Sequence, residues 1–350
     1  MFSRKLTRLV ALLFLWTLSL FVCVRAGEND RVVKITGKVY ARIVSPNGNA
    51  VGNSGFVLLG NGVLVFDTHF SPEEGRELLY EIKKITSLPV RYVVNSHYHP
   101  DHTHGNQIFK NAQFIGNQGT RRDILEKDLP SLERTISVTT SQLEKMQEEL
   151  PGQSDAARKE SLQQMENRRE YLDTLKALHI VPPLIVFDKY LAIREGRDEA
   201  QILTVASGGH TNSDAIMFLP DEKVVFCGGL FFNTAIPNVQ DANILRWIDA
   251  LRRILELDAE TYIPGHGPPG RKRDVIGFLE YFYDLRSLVG AYITSGKGLE
   301  QAMKEIQLPE KYSGYRFKNL FPSNVQRMYE ELKEELLLSI PIEGPQLPSK

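Results

Sequence analysis

Four of the chain's eight histidines fall between positions 97 and 104, three of them in the run His97-Tyr98-His99-Pro100-Asp101-His102. The run follows Tyr92-Val93-Val94, a short apolar stretch that reads as a buried strand. Imidazole and carboxylate are ligands that Zn²⁺ accepts, and a catalytic ion needs several of them converging while one position stays open. Side chains two apart on an extended segment point the same way, so His97 and His99 can grip one ion. Asp101 and His102 come after the chain turns at Pro100 and can face a second. A fold that uses this cluster must bring further ligands to the end of one strand. The alternative is a solvated loop that happens to be rich in histidine, and the crowding of half the histidines into eight residues weighs against it.

The surrounding pattern supplies strands and helices in two batches. Val57-Leu58-Leu59 and Val63-Leu64-Val65-Phe66 flank Gly60-Asn61-Gly62, a hairpin signal. Residues 72–86 carry Leu78, Leu79, Ile82 and Ile85 at helical spacing behind Pro72. From 119 to about 178, Leu162, Met165, Leu172 and Leu175 recur at helical intervals among many charges, and Pro151-Gly152 breaks the run. This predicts a helical hairpin inserted between two strands, with a structural cap as its plainest role. Strands return at 184–187, 201–206, 215–219 and 223–226. A helix at 244–257 and a short strand at 262–263 follow, and the rest is largely helical to about 338. The order predicts an α/β protein whose helices cover its sheets.

The first 26 residues differ from the rest. Arg4, Lys5 and Arg8 precede an apolar run, and Val24-Arg25-Ala26 puts a small residue at a cleavage position before Gly27-Glu28-Asn29-Asp30. That is the order of an export signal. The chain is therefore expected to be periplasmic or secreted, with cleavage after about Ala26 and no stable membrane span afterwards. An uncleaved anchor is the alternative, since the run falls just short of a bilayer's thickness. Lipoprotein processing at Cys23 fits less well, because Phe21 and Val22 stand where small residues are needed. Beyond the signal the chain holds 38 basic residues against 43 acidic ones. A weakly acidic protein with no basic block is a poor binder of nucleic acid. Cys227 is then the only cysteine, which excludes an internal disulfide.

The cluster His97-x-His99-x-Asp101-His102, directly after a strand, resembles the signature of the metallo-β-lactamase superfamily. Three further segments match in the family's order. Asp67-Thr68 follows the strand Leu64-Val65-Phe66 and is similar to an early Asp-Thr element that supports the site from behind. Gly208-Gly209-His210-Thr211 lies between two strands, where the family places a third histidine. Ile263-Pro264-Gly265-His266-Gly267 is similar to a late Gly-His-Gly element. Together these cover roughly residues 32–267. The resemblance implies that His97, His99 and His210 hold metal one, and that Asp101, His102 and His266 hold metal two. It also implies a four-layer αββα sandwich of two mixed sheets with outer helices. The expected division is a signal at 1–26, a metallo-β-lactamase-like domain at 27–310 with the insertion at 119–180, and a helical extension at 311–350.

One departure bears on the second metal. The family has a Gly-Asp pair after the third histidine whose Asp bridges both ions, and Gly229 stands at that Asp position in Cys227-Gly228-Gly229-Leu230. Without that negative charge two cations at close range repel more strongly, so the expectation is one firmly bound Zn²⁺ and a weaker second. Cys227, two residues away on the same strand, is read as a small core residue in preference to a ligand. Asp67 and Asp214 are candidates to orient ligand histidines through their free ring nitrogens, with a plain turn residue as the alternative for Asp214. His104 is read as supporting the cluster or facing solvent, His69 as a loop residue without a metal role, and His179 as structural.

The leading expectation is an exported zinc hydrolase in which metal-activated hydroxide, oriented by Asp101, cleaves a carboxylic-derivative bond such as a β-lactam, ester or lactone. Its partner is a small-molecule substrate, and the sequence does not set an oligomeric state. Two other readings stay open. An iron-dependent sulfur dioxygenase of the same fold would need the Asp that Gly229 replaces. A metal-binding or partner-binding protein that has lost catalysis would accommodate Gly229 but does not explain six retained ligands.

Overall fold

In the computed structural model, which describes residues 31–45, 51–205 and 208–338, the first part of the chain builds a seven-stranded mixed sheet. Its strands β1 (Arg31–Lys34), β2 (Val39–Ile43), β3 (Ser54–Leu59), β4 (Gly62–Phe66), β5 (Val90–Asn95), β6 (Gln113–Asn117) and β7 (Ile185–Phe187) lie in sequence order. Neighbours from β1 to β4 are antiparallel, and those from β4 to β7 are parallel. The expected hairpin turns on Gly60 and Asn61, with Leu59 paired to Gly62 and Gly60 at φ +50°. That left-handed conformation costs glycine nothing sterically. Parallel neighbours need crossovers, and α1 (Pro72–Ile85) makes the one between β4 and β5. Ser71 Oγ accepts from the Glu74 N–H at 3.2 Å to cap it, and Leu78 and Ile82 are buried against the sheet.

The second sheet has five strands, β8 (Tyr190–Glu195), β9 (Asp198–Leu203), β10 (Ile216–Leu219), β11 (Val224–Phe232) and β12 (Thr261–His266), in the order β12-β11-β10-β9-β8. Only β11 and β12 pair in parallel. The two sheets stack through one apolar layer: Val57, Leu64, Phe66 and Val94 from the first meet Met217, Phe226 and Ile263 from the second. Outside the first sheet lies α1. Outside the second lie α6 (Ile244–Leu255), α7 (Lys272–Thr294) and α9 (Phe321–Leu338), packed through Trp247, Phe278, Phe282 and Met328. This is the αββα sandwich that the resemblance implies. The short α8 (Leu299–Glu305) joins α7 to the last segment.

The helical insertion runs between β6 and β7 as α3 (Gln118–Asp123), a π-helical turn (Ile124–Asp128), α4 (Leu129–Glu149) and α5 (Asp155–Ala177). Pro151 and Gly152 turn the chain between the two long helices. Thr139, Met165 and Leu172 are the buried residues of α4 and α5, so the hairpin adds little to the core.

Two elements differ from expectation. The strand β11 runs through Gly228 and Gly229 to Phe232, although a Gly-Gly pair reads as a strand's end. It continues because parallel pairing with β12 resumes after register shifts around Gly228, which sits at φ +51°. The edge strand β8 carries no clear alternation, and its pairing with β9 defines it. The expected export signal at 1–26 with Cys23, and residues 339–350 of the expected C-terminal extension, lie outside the described residues. Among the described residues no helix is long and apolar enough to cross a membrane.

Candidate metal centre

The C-terminal ends of β4, β5 and β12 converge on one edge of the sandwich, the edge where open α/β sheets present their ligands. Past β5 the chain bends through Ser96, His97 and Tyr98 to His99 (φ −63°, ψ 143°), then Pro100 starts a single helical turn, α2 (Pro100–Thr103). The side chains of His97 and His99 converge, and Asp101 and His102 are carried into a second group. His210 arrives from the β9–β10 connection and His266 from the last residue of β12. Donor atoms of His97, His99 and His210 lie within 4.8 Å of one another, and so do those of Asp101, His102 and His266. The groups abut, with the His97 and His102 rings 4.4 Å apart.

The hydrogen bonds behind these rings settle which nitrogen faces inward. Asp67 accepts from the Ser96 N–H (2.7 Å), from Ser96 Oγ (2.7 Å) and from His102 Nδ1 (2.8 Å). Since the Ser96 hydroxyl donates to Asp67, its oxygen accepts from His97 Nδ1 at 2.8 Å. The His99 Nε2–H donates to Asp241 at 2.9 Å, and the His266 Nδ1–H to the Val51 carbonyl at 3.1 Å. His97, His99 and His266 therefore spend a proton outward and turn the other nitrogen inward as a lone pair, while His102 turns its Nε2 inward. His97 Nε2 and His99 Nδ1 then face each other at 3.1 Å, and His99 Nδ1 and His210 Nε2 at 2.9 Å. The facing lone pairs of His97 and His99 repel unless a cation lies between them, and His210 Nδ1 is buried without a hydrogen-bond partner. Ligands about 2.05 Å from a tetrahedral ion are about 3.3 Å apart, close to this spacing. In the second group Asp101 Oδ2 is 3.3 Å from His102 Nε2 and 3.6 Å from His266 Nε2. His102 Nε2 is fully buried without a hydrogen-bond partner. The donor set and its geometry fit divalent metal in both groups.

Charge follows the same layout. Burial pushes His97 and His210 well below the usual imidazole range and His266 down to about 4, so these rings are neutral and ready to ligate. Burial also works against charge on His102, but Asp101 and Asp67 beside it lift its pKa to about 10. Asp101 is half-buried at the cavity, and the adjacent His102, His266 and His99 rings hold it well below the carboxylate range. A metal held by Asp101, His102 and His266 would require His102 without its inward proton.

Other sequence-singled residues fall into distinct places. Asp67 stands behind His102 directly and behind His97 through Ser96. Asp214 touches no imidazole: its carboxylate accepts from the Thr211 N–H (2.9 Å) and Thr211 Oγ1 (2.8 Å), fixing the His210 loop, and burial raises its pKa to about 7. His104 turns away from the cluster and bonds Asp128 of the insertion at 3.1 Å. It is buried, so it does not meet solvent, and it belongs to neither donor group. His69 is buried as well, donating through Nδ1 to the Gly52 carbonyl (2.8 Å) and accepting from Ser54 Oγ (2.6 Å). His179 is exposed at the end of the insertion. Cys227 is fully buried in the apolar core, which pushes its thiol pKa up, and it belongs to neither donor group. At Gly229 a Cβ would stand 2.3 Å from His210 Cδ2 and 2.9 Å from His97 Cε1, so those two rings occupy the space of the missing side chain.

Sequence reasoning passed over Ser96, Asn53 and Asp241. Asn53 Nδ2 donates to the Pro264 and Gly267 carbonyls at 2.9 and 2.8 Å, clamping the turn that carries His266. Asp241 accepts from both His99 and the Tyr98 hydroxyl (2.6 Å). The one signal for Asp241 was a polar loop returning from the end of β11 towards the site. A cavity of about 820 Å³ opens over both groups. Its wall includes Tyr98 and Asp241 beside His99, Phe232 and Phe317 beside His266, and Lys127 and Arg134 of the insertion.

Two mixed sheets with paired histidine-rich donor groups at one edge define a metallohydrolase fold and site. The chain belongs to the metallo-β-lactamase superfamily, whose family model matches residues 47–266. It is 24% identical over 268 residues to a linear primary-alkylsulfatase of Pseudomonas sp. (strain ATCC 19151), covering 73% of this chain and 49% of that one. The chain thus spans about half the length of this curated relative. Among solved structures it is similar to a metallo-β-lactamase from Pontibacter korlensis (TM-score 0.53, 20% identity, 73% of this chain and 99% of that chain). It is also similar to the DIM-1 metallo-β-lactamase (TM-score 0.52, 15% identity, 73% and 98%). These two likenesses concern the fold.

Proposed function

We propose that the protein is an exported zinc-dependent hydrolase that cleaves an ester-type bond in a small molecule. The observation that carries this reading is the set of imidazole nitrogens turned inward beneath an open cavity, with His97, His99, His102 and His266 each held by an outward hydrogen bond. Zinc, when bound, supplies Lewis acidity that polarises the scissile group and lowers the pKa of water towards neutrality. His97, His99 and His210 would hold the first ion; Asp101, His102 and His266 would hold a weaker second. Asp101 lines the cavity and stays ionised, so it orients an attacking water by accepting its hydrogen bond. Its depressed pKa makes it a poor proton acceptor, which favours orientation over proton removal. Asp241 fixes the His99 ring and holds the Tyr98 hydroxyl at the cavity wall.

A carboxylic derivative fits the fold's lactamase neighbours, and a sulfate ester is the second reading, favoured by the alkylsulfatase relative. Gly229 offers no side chain to an iron site, which argues against sulfur dioxygenation. Six donor groups in place argue against a decayed site. The test is turnover of chromogenic lactam, carboxylic ester and sulfate ester substrates with zinc supplied. We expect zinc-dependent hydrolysis that disappears, with metal retention, in His97→Ala and His210→Ala; activity retained in either variant contradicts the assignment.

A further inference from the structure

The cavity wall beside His266 is apolar in a way that the ligands do not require. The His266 ring stacks on Phe232 at 4.3 Å and meets Phe317 edge-on at 6.4 Å. Phe317 comes from far along the chain, after α8, and its backbone is left-handed (φ 57°, ψ 33°). A bulky aromatic residue rarely adopts that conformation, and it persists only where surrounding structure imposes it. Here the preceding residue is clamped: the Ile236 N–H donates to the Arg316 carbonyl (2.9 Å) and the Arg316 N–H to the Thr234 carbonyl (3.0 Å). The chain then enters a single 3₁₀ turn (Lys318–Leu320) that brings Leu320 to the same wall. Phe317 and Leu320 remain partly exposed, and Val51, also on the wall, is 46% exposed. Apolar surface left open beside a ligand group, on strained backbone, suits an apolar part of a bound molecule. The wall near His99 differs. Lys127 there lies over the Tyr98 ring at 4.8 Å, and Lys127 and Arg134 both face the cavity.

Resting on the hydrolase reading, we propose that Phe317, with Leu320 and Val51, binds the aliphatic tail of an amphiphilic substrate whose anionic or ester head lies at the ligand groups. Phe317 is on this account the residue that sets chain-length preference. A tail lying against one wall buries about half the surface of each methylene, so affinity rises about twofold per methylene.

The test is calorimetric titration of the zinc-supplied protein with n-alkylphosphonates from butyl to decyl, non-hydrolysable probes whose binding is read without turnover. Phe317→Gly and Phe317→Asn both tolerate a left-handed backbone, so each removes the ring without adding strain. The expected result is an increase of about twofold per methylene in the native protein, flattened in both variants while each still unfolds in one cooperative thermal transition. A flat series in the native protein, or an unchanged slope in both variants, overturns the proposal. Chain-length-dependent binding without turnover of the ester panel would sink the hydrolase reading alone; turnover with a flat series would sink this one alone.

Discussion

At the scale of single residues the centre depends on where protons sit. The relay from His97 through Ser96 to Asp67 and the bond from His99 to Asp241 each hold one imidazole in the tautomer a cation needs. Asp241→Asn removes the negative charge while leaving an acceptor for His99. Competition with a chelator is expected to show metal affinity reduced by about 10- to 100-fold; native affinity would show that Asp241 only fills space. His69 gives a second residue-scale expectation. Burial pushes its pKa well below 6.5, so below that pH the unfolded chain takes up a proton that the folded chain refuses. Stability then rises with pH and is lost as pH falls below 6.5, by about 1.4 kcal/mol per unit for one proton. The side-chain amide of a His69→Gln variant can still donate to Gly52 and accept from Ser54, but it takes up no proton. Denaturant titrations between pH 5 and pH 7 should give this variant a shallower decline, by about one proton, than the native protein; parallel curves would refute the assignment.

At the scale of elements, several short devices aim the ligands. The strand β5 ends just before them, Pro100 begins the turn that separates the two groups, and Asn53 fastens the end of β12. The helix α6 covers the second sheet behind His210, its Trp247 ring 5.1 Å from that imidazole. Asn243 caps this helix by accepting from the Arg246 N–H at 2.8 Å, and Glu331 of α9 accepts from the Ile244 and Leu245 N–H groups at 2.8 and 3.0 Å. Asn243→Ala is expected to cost about 1 kcal/mol, since the carboxylate of Glu331 still serves the other exposed donors. Thermal unfolding measures this; a loss several times larger would mean that the cap also holds the His210 loop, whose Gly209 carbonyl accepts from the Asn243 N–H at 2.9 Å.

At the scale of the whole molecule, the legible parts are those that lie close together in the chain. His97 to His102 were readable because one strand and one turn carry four donors. His210, His266 and Asp67 were readable because each keeps a short motif beside a strand. The α/β layering followed from two batches of strands, whose alternation and apolar runs are local, and the sandwich from the family resemblance. Asp241 and Ser96 were hidden because their roles arise only when β5 and the loop after β11 meet, and neither residue type is unusual for a loop. The left-handed Phe317 was hidden for the same reason: its backbone is fixed by pairing with residues near 235, some 80 positions earlier. Gly229 was legible as a missing bridge, whereas the structure adds that the His97 and His210 rings fill its space. That arrangement sharpens the central claim, a first metal held firmly by three imidazoles and a second lacking its bridging carboxylate. Native mass spectrometry of the purified protein, taken through stepwise dilution of free zinc, tests it most directly. The predicted result is one retained zinc per chain after the second has been lost; two zincs retained together to the lowest concentration, or none at any, would contradict it.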